Sequence, residues 1–183
     1  SWFRKCFDTY TWPTLRWLKI NTVNIVPLED TPRVAALLFM LDSLVNEKSC
    51  ATAESVEQVF CFCCVWAMGS GLTVADDGTD YRKMFSDWWR SEFKAVKFPP
   101  RDSVFEYWLN PDEHVFDQWT KSPYFFSVDY DSKTPMGSVT VPTPETCGVT
   151  FWMSNLLAMR RAIMLCGPSG TGKTQMLKGL LSS

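Results

Sequence analysis

One glycine-rich segment carries the residue types that can hold a phosphate. Gly167, Gly172, Lys173 and Thr174 stand in the order Gly-x-x-x-x-Gly-Lys-Thr, the complete P-loop pattern. Because glycine has no side chain, such a loop can curl until its backbone N–H groups point at an anion. The lysine would then reach the outer phosphates, and the threonine hydroxyl would bind Mg²⁺. The spacing therefore predicts a site for nucleotide phosphates.

The residues on either side of the loop fit this motif. The apolar run 163–166 predicts a buried parallel strand ahead of it, and residues 175–181 predict the amphipathic helix behind it. A helix that begins at the loop turns its positive end toward the anion. Two other interpretations stay open, a glycine-rich turn that binds nothing and a degenerate loop that binds nucleotide without hydrolysing it.

A P-loop nucleoside triphosphatase also needs a sheet of several strands and an acidic residue on another strand for its Mg²⁺. Only nine residues follow Thr174, and the chain does not begin with Met. We therefore expect the 183 residues to be a piece of a longer protein that holds half of a site and no catalytic residue.

Composition narrows the class of protein. With 46% hydrophobic residues the chain can build a core, and a net charge of -2 predicts no basic surface for nucleic acid or membrane. The longest uncharged apolar stretch, residues 59–68, is far shorter than the roughly 20 residues that span a bilayer. We expect a globular intracellular piece with no nucleic acid or membrane partner.

Cys61, Cys63 and Cys64 form a cluster that could suggest a metal site. Zinc sites pair such thiols with a second pair or with histidines, and the one histidine, His114, stands in a charged turn. We therefore expect the cluster to pack in the core and His114 to be a solvated loop residue. An odd total of seven cysteines, without secretory features, is typical of a reducing compartment.

The pattern up to about residue 100 is helical. Thr31 with Pro32 predicts an N-cap and first helical position, and the helix should run to about Asn46. Its expected core face is Val34, Leu37, Leu38, Leu41, Leu44 and Val45. The first thirty residues predict one or two short helices interrupted at Pro13.

Two further helices are predicted in this part, at 53–68 and at 79–96. The glycines of the Gly-Ser-Gly segment at 69–71 should end the first of them. The second of them carries an aromatic stripe at helical spacing, formed by Tyr81, Phe85, Trp88, Trp89 and Phe93. Such a stripe can stack on nucleic acid bases. It stands beside no basic cluster of its own, so we expect it to pack in the core.

After residue 100 the pattern alternates. Residues 104–109 and 115–119 predict a hairpin around a polar turn at 110–113, and 138–141 predict a short extended run. Thr143 with Pro144 again predicts an N-cap followed by proline at the first position of a helix. The helix that follows should turn inward Val149, Trp152, Met153 and either Leu156 or Leu157.

The order of these features resembles a junction between consecutive AAA+ modules of a dynein heavy chain, of the axonemal and more the outer-arm type. The resemblance rests on four stretches in series, and those stretches are residues 81–99 (YRKMFSDWWRSEFKAVKFP), 141–146 (VPTPET), 151–157 (FWMSNLL) and 163–174 (IMLCGPSGTGKT). It implies an α/β fold with a helical part. Residues 1–103 would be the helical small (lid) subdomain of the second module, and 104–183 would begin the large subdomain of the third.

The resemblance also implies roles for particular residues. The family's contacts to ATP or ADP fall here on Gly167, Pro168, Ser169, Gly170, Thr171, Gly172, Lys173, Thr174 and Gln175, with Thr174 also serving Mg²⁺. Residues near the adenine would be Val141, Pro142 and Thr143. The third module is similar to a regulatory site whose nucleotide state is coupled to motor conformation.

For the parent protein, the resemblance implies an ATP-driven microtubule motor of the cytoskeleton, in the axoneme of a cilium or flagellum. Its partners would be the rest of the heavy chain ring, intermediate and light chains, and microtubules. Two alternatives stay open. One is a self-contained P-loop ATPase or kinase, and the other is a structural motor segment with a non-hydrolysing P-loop.

Overall fold

Helices make up most of the computed structural model, which describes residues 1–23, 26–128 and 141–182. In chain order the helices are α1 (Trp2–Cys6), α2 (Trp12–Asn21), α3 (Asp30–Leu44), α4 (Ala53–Gly69), α5 (Tyr81–Glu92), α6 (Pro144–Ala158) and α7 (Lys173–Ser182). A hairpin of β1 (Tyr107–Leu109) and β2 (Phe116–Gln118) lies between α5 and α6. Within these residues no helix combines the length and apolar character needed to span a membrane.

The first two helices form one continuous run. Phe7–Thr11 between them is π-helical, and both flanking residues, Cys6 and Trp12, keep right-handed helical angles. The predicted interruption at Pro13 is therefore wrong. Proline lacks an N–H and its ring crowds the carbonyl four residues earlier. A wider π turn just ahead of it gives the ring room without breaking the helix.

Helix α3 begins earlier than expected and packs through most of the predicted face. Glu29 occupies the N-cap position, so the N-cap prediction at Thr31 is wrong. The residues that α3 buries are Arg33, Leu37, Met40 and Leu41. Leu38 and Val45, predicted to face the core, are 48% and 39% exposed. The other four predicted positions, Val34, Leu37, Leu41 and Leu44, contact the core as expected.

Helix α4 is the centre of the core. It starts with a capping box in which the Ser55 N–H donates to Thr52 Oγ1 and the Thr52 N–H donates to Ser55 Oγ, each at 3.1 Å. Thirteen of its seventeen residues are buried. Cys61, Cys63 and Cys64 are fully buried free thiols, which confirms their predicted place in the core. Burial raises the pKa of each thiol well above its ordinary value.

Helix α5 packs its aromatic stripe against the first helical run, as predicted. Phe85 and Trp89 are fully buried, and Tyr10 stacks on Trp89 with ring centroids 6.1 Å apart. The helix is shorter than the predicted span 79–96. It starts after Asp80, whose Oδ1 accepts the Lys83 N–H at 2.8 Å, and it ends before Phe93, whose backbone is extended.

The predicted hairpin is confirmed in a shorter form. Tyr107 pairs with Gln118 and Leu109 with Phe116 in antiparallel register. Residues Val104–Glu106 form a 3₁₀ turn instead of a strand, closed by the Glu106 N–H donating to the Ser103 carbonyl at 3.0 Å. The Val104 N–H donates to Ser86 Oγ at 3.0 Å and ties this turn to α5. In the turn, His114 adopts φ +53° and is half-buried, so it is less solvated than predicted.

One arginine holds the segment that joins α5 to the hairpin. Arg90 Nη1 donates to the carbonyls of Phe98, at 3.1 Å, and Pro99. Its Nη2 donates to the carbonyls of Arg101 and Asp102 at 3.2 and 2.9 Å. A planar guanidinium can serve several acceptors at once, so this side chain fixes the direction in which the chain enters the hairpin.

Candidate functional site

Helix α6, which precedes the glycine-rich loop, begins with the predicted threonine N-cap and proline. The Thr146 N–H donates to Thr143 Oγ1 at 3.2 Å, and the Thr143 N–H donates to Thr146 Oγ1 at 2.7 Å, with Pro144 in the first position. Trp152 and Met153 are buried as predicted. Leu156 packs on the core while Leu157 is 41% exposed, which decides between the two predicted alternatives.

Helix α6 lies directly on α4. At Gly148 an added Cβ would stand 2.5 Å from Cη2 of Trp66, so only glycine allows this approach. Next to this contact, Phe62 and Trp152 have ring centroids 5.1 Å apart. The element that leads to the loop is therefore seated on the most buried helix of the chain.

The segment between α6 and the loop is extended but forms no strand, so the strand predicted at 163–166 is wrong for this structure. A strand is defined by hydrogen bonds to a neighbouring strand, and the residues that the structure describes supply no such neighbour here. Met164 is 70% exposed and Cys166 is exposed as well. The apolar run is thus unpaired on this part of the chain.

The glycine-rich loop curls around the Lys173 ammonium. Lys173 Nζ donates to the carbonyls of Gly167 and Pro168 at 2.9 and 2.6 Å and to Thr171 Oγ1 at 3.3 Å. Gly170 and Gly172 adopt φ of +83° and +80°, a backbone conformation that residues with a Cβ rarely adopt. Glycines thus allow the loop to curl, with two of its carbonyls facing the Lys173 ammonium, while the turning of its N–H groups toward an anion stays a prediction.

Helix α7 starts at Lys173, within the motif itself, and contains the predicted span 175–181. Thr174 is exposed in its first turn and Gln175 is half-buried. Pro168, Ser169, Gly170 and Thr171 are exposed as well. An anion approaching this loop would meet the N-terminal end of a ten-residue helix.

A groove of about 1160 Å³ runs along the loop. Gly167, Thr171 and Lys173 line it from the loop, and Glu145 and Thr146 line it from the first turn of α6. The predicted adenine neighbours come immediately before that turn: they are Val141, which is 65% exposed, Pro142 and Thr143. Residues 138–140 of the predicted extended run lie outside the described residues.

Helix α5 contributes charged groups to the same groove that sequence reasoning did not single out. The Arg82 guanidinium lies 4.2 Å from the centroid of the Phe105 ring, and its Nη1 is 3.8 Å from Glu145 Oε1. Burial lowers the pKa of Arg82, while Glu145, Glu106 and Asp80 oppose that shift. Burial raises the pKa of Glu106, against the effect of Arg82. A hint in the sequence was that Arg82 directly follows the first aromatic residue of the stripe.

Potential metal ligands do not cluster in the described residues: these contain no group of three or more His, Cys, Asp or Glu side chains arranged to hold a metal ion. The Mg²⁺ contact expected at Thr174 stays a prediction. A single hydroxyl next to phosphate oxygens is the usual protein contribution to Mg²⁺ in P-loop sites.

Comparison with known proteins divides the chain into two adjoining matches. Residues 3–121 match the dynein heavy chain AAA lid domain, and residues 128–183 match the P-loop containing dynein motor region. The domain boundary predicted at residues 103–104 stays a prediction.

Curated relatives match along nearly the whole chain. The dynein alpha chain of the flagellar outer arm of Chlamydomonas reinhardtii is 34% identical over 186 residues, and human dynein axonemal heavy chain 9 is 34% identical over 181 residues. The ciliary dynein beta chain of Heliocidaris crassispina is 35% identical over 181 residues. These alignments cover 100%, 97% and 97% of this chain and about 4% of each relative. With its helical lid, hairpin and glycine-rich loop in the same order, the chain belongs to the dynein heavy chain family.

Proposed function

We propose that residues 167–175 bind the polyphosphate of ATP or ADP together with Mg²⁺. The observation that carries this proposal is the position of the Lys173 ammonium, which lies within a curled glycine-rich loop at the start of a helix. Its three contacts there are to loop oxygens at 2.6 to 3.3 Å. A phosphate oxygen is a stronger partner for an ammonium than a neutral carbonyl. A bound nucleotide would therefore take over part of this coordination.

The remaining roles follow from position. Thr174 is next to Lys173 in the first turn of α7, where its hydroxyl would contact Mg²⁺. Val141, Pro142 and Thr143 precede the first turn of α6, and that turn shares the groove with the loop. We assign the adenine to this end of the groove and the phosphates to the loop.

For the parent protein we propose an ATP-driven microtubule motor of a cilium or flagellum. The relatives are named as dyneins of the flagellar outer arm, of the axoneme and of cilia. The remainder of the heavy chain ring, intermediate and light chains and microtubules would be its partners. This chain would supply a regulatory AAA+ site, at which nucleotide changes the angle between the lid and the next module. A ligand can do so only through contacts that differ between the two arrangements.

The test measures nucleotide bound to the purified heavy chain carrying Lys173→Ala. We expect the variant to bind one nucleotide fewer per chain than the wild type, or to bind it far more weakly, because the ammonium is the charge closest to the phosphates. Lys178→Ala, on the same helix, is the matched control and should keep the wild-type stoichiometry. Equal stoichiometry and affinity in Lys173→Ala and wild type would refute the site.

A further inference from the structure

The link between α6 and the glycine-rich loop passes through Arg161. Helix α6 ends in a reversal in which the Arg160 N–H donates to the Leu157 carbonyl at 2.8 Å and the Arg161 N–H donates to the Leu156 carbonyl at 2.9 Å. Arg160 takes φ +54° in this reversal. The paired bonds are those of a Schellman motif, which fixes the direction of the chain beyond the helix. They direct the Arg161 side chain away from α6.

The Arg161 side chain lies on α3, in the helical lid. Its guanidinium carbon is 4.1 Å from the centroid of the Phe39 ring, and its Nη2 is 3.8 Å from Asp42 Oδ2. Phe39 and Asp42 are three residues apart on one helix, so they share a face. An exposed ion pair alone contributes little stability. Here, however, the Phe39 ring beneath the guanidinium and the Asp42 carboxylate at its edge together restrict the orientation of the Arg161 side chain.

Helix α6 is thereby tied to three helices of the lid. Its first turn meets α5 through Glu145 and Arg82, 3.8 Å apart, and its middle lies on α4 at Gly148. Helix α6 also packs directly on α3, and Arg161 adds a further contact to α3 at the end of α6. Only residues 162–166 separate that last contact from Gly167, where the loop begins.

We propose that Arg161 is a positioning residue for the glycine-rich loop: by binding Phe39 and Asp42 of the lid, it sets where the loop stands and so how tightly the loop binds nucleotide. This inference rests on the proposed function. Phosphate binding needs several N–H groups and the Lys173 ammonium aimed at one place, so a small displacement of the loop's starting point lowers affinity. Because coupling of this kind is reciprocal, nucleotide binding should also stabilise the contact of Arg161 with α3.

The test measures nucleotide affinity at this site in the full heavy chain, using Lys173→Ala to identify which fraction of the bound nucleotide belongs to it. Arg161→Gln removes the charge, and we expect about a fivefold weaker affinity, the size typical of one cation–π contact with a partly exposed ion pair. Arg161→Lys keeps the charge but loses the planar group over the ring, so it should recover part of the loss. Arg160→Gln, at the neighbouring exposed arginine, is the matched control and should bind like the wild type.

A double-mutant cycle separates positioning from a general loss of stability. Asp42→Asn alone should also lower nucleotide affinity. The double variant should bind nucleotide no more weakly than the weaker-binding of the two single variants, because both changes act through one contact. Hydrogen exchange of α3 should slow on adding MgADP in the wild type but not in Arg161→Gln.

Unchanged affinity in Arg161→Gln, equal losses in Arg161→Gln and Arg161→Lys, or additive losses in the double variant would each overturn the proposal. If Lys173→Ala removes no bound nucleotide, the proposed function fails instead.

Discussion

The Trp66 ring of α4 lies against the backbone of α6 at Gly148, where an added Cβ would stand 2.5 Å from Cη2 and 2.8 Å from Cζ2. Trp66 itself is 2% exposed, and Cε2 of the buried Trp119 would stand 3.2 Å from the same added Cβ. Neither ring can move aside without displacing a packed neighbour. The contact fixes the distance between the lid and the helix that leads to the loop.

Gly148→Ala should therefore destabilise the seating of α6 on α4. Overpacking of a core of this kind costs about 1 to 3 kcal/mol. Faster hydrogen exchange at the amides of α4 and α6 in the heavy chain would report the loss. Gly179→Ala is the matched control, since its added Cβ meets no atom within 4 Å and α7 should gain helix propensity. Equal rates of hydrogen exchange in Gly148→Ala and wild type would show that the two tryptophan rings shift to make room for the methyl group.

Arg90→Ala should loosen the segment between α5 and the hairpin. The change removes the donors for four backbone carbonyls, at Phe98, Pro99, Arg101 and Asp102. We expect a loss of about 1 to 3 kcal/mol in local stability, in keeping with net hydrogen-bond contributions. Arg90→Lys should recover little, because an ammonium cannot span acceptors that a guanidinium fork reaches.

Limited proteolysis at residues 98–102 of the heavy chain measures this effect. The exposed residue Lys94 on the same stretch provides the control variant Lys94→Ala, which should resist cleavage like the wild type. A cleavage rate in Arg90→Ala no faster than in Lys94→Ala would contradict the prediction.

The pKa of Glu106 makes stability depend on pH in a definite direction. Burial raises this pKa above its ordinary value of 4.5, with Arg82 as an opposing influence. The folded state therefore holds the proton more tightly than the unfolded state. The contribution to stability is complete below pH 4.5 and is lost as pH rises through the folded pKa.

Glu106→Gln should accordingly gain stability relative to the wild type as pH rises from 4.5 toward neutrality. Unfolding in urea, followed by tryptophan fluorescence at both ends of this pH range, gives the difference. A difference that stays constant with pH, or that favours the wild type increasingly, would show that the attraction between Glu106 and Arg82 outweighs burial.

The cysteines should differ sharply in reactivity. Cys166 is exposed, whereas Cys61, Cys63 and Cys64 are fully buried with raised pKa values. Burial also raises the pKa of Cys6 to about 11 from 9.0. The thiolate is the reactive form, so at pH 8 Cys6 should alkylate roughly a hundredfold more slowly than an ordinary cysteine, even before access is considered.

Mass spectrometry after brief iodoacetamide treatment should find label at Cys166 first, with Cys6 labelled far more slowly and Cys61 only after unfolding. Raising the pH toward 11 should speed labelling of Cys6, because its thiolate becomes populated there. Labelling of Cys61 at the same rate as Cys166 in the folded protein would contradict the described packing.

Lys173→Ala in the motor should change release from microtubules more than it changes basal ATP turnover. This expectation follows from the proposed regulatory role, in which nucleotide at this loop alters the angle between lid and neighbouring module. Single-molecule dwell times on microtubules and steady-state ATPase rates give the two quantities. A large fall in basal turnover with unchanged dwell times would point to a principal hydrolysis site instead.

Local patterns in the sequence determined much of this fold. Thr143 with Pro144, the aromatic stripe of α5 and the polar turn at 110–113 each act through neighbours a few residues away, so propensity and spacing were enough to predict them. The P-loop also belongs to this class, because its curl depends on glycines within the loop itself.

Tertiary structure alone decided the rest. Helices that are distant in the sequence decide three features: the exposure of Leu38 and Val45 on α3, the need for glycine at position 148 of α6, and the places of Arg82 and Arg161. A strand at 163–166 needs a hydrogen-bonded neighbour, which no local pattern can supply. Local chemistry thus identified the residues that could hold a phosphate, while packing between helices decided how the loop is attached to the lid.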